Sequence, residues 1–131
     1  MTPEQQAEHD YYNVFLKLQH RLRVLLSPLN EKQWRILDLG CGFHYPNVIL
    51  FHDQVAEIWG ADVVSSFFRD GRLARFRSVA AGRGWLRGVK WATVEYNRCQ
   101  QYYCHLERLS GIRIDHSQYR LRRYDGQNLP F

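Results

Sequence analysis

The sequence predicts an α/β fold built on a parallel sheet, and three observations carry that expectation. An apolar run, WRILDL at residues 34–39, leads directly into the glycines of GCG at 40–42. A second apolar run, VAEIWGADVV at 55–64, follows one short helical stretch, and a third segment, SQYRLRRYD at 117–125, alternates tyrosine and leucine with arginine. Strand, glycine turn, helix, strand, helices, strand is a βαβαβ order, in which crossovers join parallel neighbours. About three strands are readable.

The elements follow in chain order. Thr2, Pro3 and Gln5 form a helix start: a hydroxyl cap, proline at the first helical position and an amide three residues after the cap. Ala7, Tyr11, Val14, Phe15, Leu18, Leu22 and Leu25 then recur on one side of a helix, which Ser27-Pro28 stops. Residues 1–33 are therefore expected to form an N-terminal helical segment. Residues 34–39 predict a buried strand. Pro46, tolerated in a first helical turn, opens a short helix over Val48, Ile49, Leu50 and Phe51 to about Gln54. Residues 65–110 have a helical pattern interrupted near Gly82, Gly84 and Gly88. Val89, Ala92, Thr93, Tyr96, Cys99, Tyr103 and Leu106 mark one face of its second helix, which Gly111 closes. Asp125 lies 63 positions beyond Asp62, far more than a crossover needs. Residues 65–110 are accordingly expected to be a helical insertion of two helices outside the sheet.

Composition limits the function classes. The 131 residues carry a net charge of +5, 45% hydrophobic and 15% aromatic content, as for one soluble domain. Seven basic residues (Arg69, Arg72, Arg75, Arg77, Arg83, Arg87, Lys90) face a single acid, Asp70, between positions 69 and 90. Either this is a solvated helical face or it meets an acidic partner, RNA or anionic lipid. Three cysteines, Cys41, Cys99 and Cys104, form no C-x-x-C pair, so reduced thiols are expected. Cys104-His105 lacks metal-ligand spacing, and no metal is expected. The N-terminus is polar where a signal peptide would be basic and then apolar. No apolar run approaches the roughly 20 residues that span a bilayer. These features predict a cytoplasmic protein. Tyr11, Tyr12, Trp34, Trp85, Trp91 and Tyr103 are expected to be packing residues.

Chemistry concentrates at the strand ends. In an open parallel sheet ligands bind beyond the carboxyl ends of the strands, and the three strands here finish at Asp38 with Gly40 and Gly42, at Asp62, and at Asp125. Glycines let a ligand approach the backbone, a carboxylate after the second strand suits ribose hydroxyls, and a third can take an exocyclic amine. The set describes an adenosine-shaped slot. The dinucleotide fingerprint would require a small residue where Tyr45 stands, and no P-loop is present, so neither pyrophosphate nor triphosphate is well served. A nucleoside with a cationic tail remains, its ammonium near Asp38.

ILDLGCG resembles the D-x-G-x-G first motif of class I S-adenosylmethionine-dependent methyltransferases. GADVV resembles their second motif, and RRYDGQNLPF is similar to the third. The resemblance covers residues 34–131 and implies a partial Rossmann-like domain that binds S-adenosyl-L-methionine. It implies that Asp38, Gly40, Cys41 and Gly42 hold the methionine part, Asp62 the ribose and Val63 the base, with Asp125 and Gly126 meeting the adenine. The implied reaction is methyl transfer to an O, N or C nucleophile of an unidentified acceptor, with no catalytic residue assigned. His44 replaces the third glycine common in that family, and either faces the ligand or caps the following helix. The family sheet continues into further strands, so the chain is expected to be the N-terminal part of a longer protein, inactive alone. The alternative expectation is a non-catalytic module that uses residues 69–90 on RNA or anionic lipid.

Overall fold

The computed structural model describes residues 1–64, 66–124 and 127. Helix α1 (Pro3–Glu8) opens with the expected reciprocal cap. The Gln5 amide nitrogen donates to Thr2 Oγ1 at 3.1 Å, and the Thr2 nitrogen donates to Gln5 Oε1 at 2.8 Å. The backbone stays helical through a π-helical stretch, His9–Phe15, into α2 (Leu16–Leu25). Those wider turns rotate the buried stripe onto Ala7, Phe15 and Gln19, with Tyr11 and Leu22 partly covered, and leave Leu25 exposed at 76%. The sequence stripe predicts Leu25 inside; the extra residue per turn is why it is not.

Strands β1 (Arg35–Leu39), β2 (Glu57–Asp62) and β3 (Arg120–Arg123) form one parallel sheet in the order β1-β2-β3. Leu37 pairs with Trp59 and Leu39 with Ala61; on the other side, Trp59 pairs with Arg120 and Asp62 with Arg123. Alternation divides the sheet into two faces. Ile58, Gly60, Asp62 and Leu121 are buried, and they point to the same side as Ile36 and Asp38. Helix α3 (Pro46–Phe51) covers this side with Val48, Ile49, Leu50 and Phe51, none more than 1% exposed. The N-terminal helix closes over α3, with the Phe15 and Phe51 rings in edge-to-face contact at 4.7 Å. The opposite face carries Leu37 and Leu39, 42% and 52% exposed. Charge tiles the rest of it: Arg35 and Arg120 both pair with Glu57, and Arg120 and Arg122 lie over the Trp59 ring.

Residues between β2 and β3 are helical wherever they are described, apart from short connections. Helix α4 (Arg72–Arg83) ends at Gly84, whose φ of 91° breaks the chain into α5 (Trp85–Lys90). A second π-helical stretch, Trp91–Glu95, joins α5 to α6 (Tyr96–Ser110), and Gly111 closes α6 in the left-handed conformation. Only Gly84 interrupts the helices; Gly88 sits inside α5 because Phe76 packs where a Cβ would stand. The π-helical turn rephases the buried face. Gly88 and Trp91 are inside at its N-terminal end and Cys99, Tyr102, Tyr103 and Leu106 beyond it, whereas Val89 and Thr93 are exposed. Trp34, Trp91 and Tyr103 are core residues as expected, but Tyr12 and Trp85 are 51% and 66% exposed. No helix among the described residues is long and apolar enough to cross a membrane.

Candidate functional site

The turn after β1 is shaped by backbone dihedrals. Gly40 and Gly42 have φ of 75° and 81°, in the left-handed region that costs a residue with a Cβ about 1–2 kcal/mol. A Cβ at either position would meet nothing within 4 Å, so conformation rather than crowding calls for glycine. The Gly40 and Cys41 nitrogens both donate to Ala61 O, at 2.7 and 3.2 Å, which holds the turn against the end of β2. Tyr45 also takes a left-handed φ, 42°. It stands at the third-glycine position of the dinucleotide fingerprint, so the turn uses that conformation without that residue. Complete burial and a 2.8 Å hydrogen bond between its hydroxyl and His116 Nδ1 keep it there.

Asp62 clamps the turn from β2. It is 9% exposed, and its Oδ2 accepts the Gly42 N–H at 2.7 Å while Oδ1 accepts that of Val64 at 3.2 Å. Val63, next to it, is 59% exposed. On β1, burial holds the Asp38 carboxyl above the usual carboxylate range. A hydrogen bond from Asn47 opposes that shift, and the nearby charge of Asp62 adds to it. Even so, Asp38 Oδ2 is buried with no hydrogen-bond partner among the described residues, and so is Asn47 Oδ1. Two neighbouring buried acceptors without a donor cost free energy unless something supplies one.

Cys41 lies between the two carboxylates. Burial, then Asp38 and Asp62, push its thiol up to about 12, so it stays protonated. It fills space against Gly60, where a Cβ would come within 2.9 Å of its sulfur. A nucleophilic role has no support in this environment.

The carboxyl ends of β1 and β2 therefore bring Asp38, Gly40, Cys41, Gly42, Asp62 and Val63 to one edge of the sheet. Asp125 and Gly126 lie outside the described residues. Two residues that the sequence reading passed over belong to this edge. Arg123, which pairs with Asp62 in the sheet register, donates from Nε to Val64 O at 3.0 Å. Asn47 follows Pro46 at the start of α3, and that place just after a glycine turn was the available signal.

His44 turns away from this edge. Its Nε2 lies 3.3 Å from Cys99 Sγ and its ring packs against Tyr102, while its carbonyl accepts from the Tyr103 hydroxyl at 3.1 Å. It caps no helix, since Tyr45 occupies the cap of α3. Burial pushes the imidazole down to about 4 and the Cys99 thiol up to about 11. At neutral pH the pair is a neutral ring beside a neutral thiol, the opposite of an activated nucleophile.

The basic segment divides in two. Arg69 donates to Tyr119 O, Arg72 lies 4.1 Å over the Tyr96 ring and Arg75 lies 4.6 Å over Phe43. These three serve the fold. Arg77, Arg83, Arg87 and Lys90 are exposed, and none is ion-paired among the described residues.

Comparison with known proteins finds no matching family model, no matching curated protein and no matching solved structure.

Proposed function

We propose that this chain is the Rossmann-like cofactor-binding part of an S-adenosyl-L-methionine-dependent methyltransferase acting on an unidentified acceptor. The observation that carries the reading is a pair of acceptors unpartnered among the described residues, Asp38 Oδ2 and Asn47 Oδ1, beside a left-handed glycine turn at the carboxyl edge of a parallel sheet. An ammonium group supplies the donors both acceptors lack, and its charge relieves the repulsion that Asp62 exerts on Asp38. Gly40 and Gly42 leave open space where side chains would otherwise screen the backbone. Asp62, fixed by two backbone N–H groups, retains lone pairs for ribose hydroxyls, and exposed Val63 offers an apolar surface for the base. The cofactor would supply an electrophilic methyl; the residues here bind and orient it. Alignment of the two reactants, more than acid–base chemistry, dominates such a transfer.

Calorimetric titration with S-adenosylmethionine, S-adenosylhomocysteine and methylthioadenosine tests this assignment. The third ligand keeps the nucleoside and lacks the amino-acid ammonium. Asp38→Asn should weaken the first two about tenfold, the loss of one charge-assisted hydrogen bond, and leave methylthioadenosine unchanged. Asp62→Asn should weaken all three. No binding by the native chain, or an equal effect of Asp38→Asn on all three ligands, would remove the proposal.

A further inference from the structure

The hairpin of α4 and α5 extends a cationic and apolar surface that the fold itself does not use. From Gly71 to Val94 the chain has six cations and no acid, and apart from Arg72 and Arg75, which pack on rings of the fold, these cations are exposed. Every residue from 81 to 90 except Gly88 is exposed. Trp85 and Leu86, at the start of α5, are 66% and 68% exposed, and Val89 is 42% exposed. At 100° per residue, Trp85, Val89 and Leu86 occupy one arc of about 100° on α5. Lys90 and Arg87 follow on the next arc, and Gly88 and Trp91 turn inward on the remaining one, toward Phe76 in the case of Gly88. Arg83 lies two residues before Trp85, across the Gly84 break. An aromatic–aliphatic wedge, rimmed by cations that have no ion pair among the described residues, is therefore held on a helical support.

We infer that this surface docks on an anionic lipid bilayer, with Trp85 and Leu86 entering the interface and Arg83, Arg87 and Lys90 meeting lipid phosphate and carboxylate groups. Charge complementarity names the partner. A leaflet carrying phosphatidylserine attracts clustered cations, while tryptophan and leucine partition into its headgroup and acyl boundary. The aliphatic share of the wedge favours lipid over nucleic acid. Single-stranded RNA is held by stacking platforms, and this surface has one exposed aromatic ring among aliphatic neighbours. The inference is independent of the cofactor site, which lies at the sheet edge.

The test uses the 131-residue chain with vesicles of phosphatidylcholine and vesicles of phosphatidylcholine with phosphatidylserine, followed by co-sedimentation and tryptophan emission. Binding should appear only with phosphatidylserine, weaken as salt rises and shift the emission to shorter wavelength. The double variant Trp85→Ser/Leu86→Ser should lose the shift and lower partitioning about tenfold or more. The triple variant Arg83→Gln/Arg87→Gln/Lys90→Gln should lower it about a hundredfold. All five side chains are exposed, so unchanged thermal melting checks that each variant is folded. Equal binding to both vesicle types, or wild-type partitioning by the Trp85/Leu86 variant, would overturn the inference. So would failure to bind either vesicle while a single-stranded RNA oligomer binds with the same arginine dependence.

Discussion

Acidification should destabilise this protein through one buried histidine. His44 has an ordinary pKa of 6.5 when the chain is unfolded, and burial pushes it down to about 4 in the folded protein. Between those values the unfolded chain binds the extra proton, so stability is fully present above pH 6.5 and is lost as pH falls toward 4. At 1.36 kcal/mol per unit, the depression amounts to ~3 kcal/mol, a large share of the roughly 5–15 kcal/mol that stabilises a domain. His116, also depressed by burial, acts in the same direction. Asp38 acts oppositely: its raised pKa penalises the folded state when ionised, and a fall in pH relieves that penalty. The clean measurement is therefore the difference between the native chain and His44→Phe, which keeps a ring against Tyr102 and cannot titrate. Urea unfolding followed by circular dichroism at a series of pH values gives stability curves for both proteins. Relative to the variant, the native chain should lose ~3 kcal/mol of stability between pH 6.5 and 4. Parallel curves, or a His44 ring whose nuclear magnetic resonance titration is centred near 6.5, would refute the reasoning.

Further outcomes follow from packing and exposure. Gly60→Ala should destabilise the fold by about 1–3 kcal/mol in urea titrations, because overpacking strains a filled core. Its new Cβ would meet Val48 Cγ2 at 2.8 Å, with Cys41 Sγ and Leu121 Cδ2 each at 2.9 Å. Phe51→Ala, which empties a fully buried ring site between α3 and the N-terminal helix, should cost about 3–5 kcal/mol by the same measurement. Thiol labelling of the native chain should modify exposed Cys104 first, while Cys41 reacts only after denaturant is added. Rapid native labelling of Cys41 would show that the turn opens.

Much of the architecture was legible in the sequence, because periodicity and punctuation are local. The Thr2–Gln5 cap, the strand leading into glycines, the short helix of Pro46 and the apolar run 48–51, and the stop at Gly111 each follow from a few neighbouring residues. The parallel three-stranded sheet follows from their order. The gathering of Asp38, the glycines and Asp62 was also readable, since strand ends converge wherever strands run parallel. Tertiary structure decided what local pattern cannot encode. The first π-helical stretch rotated its stripe, moving Leu25 outward and Gln19 inward, because an added residue in a turn shifts every later side chain around the axis; the second lets α5, with Gly88 inside and Val89 outside, and α6 bury faces of different phase. It placed His44 against Cys99, 55 residues away, rather than at the sheet edge. It left Trp85 exposed, although a tryptophan read in isolation belongs in a core. It also set Asn47 beside Asp38 with acceptors that find no donor among the described residues, because satisfaction of a buried polar atom depends on what the whole fold brings near it, and no window of sequence records that.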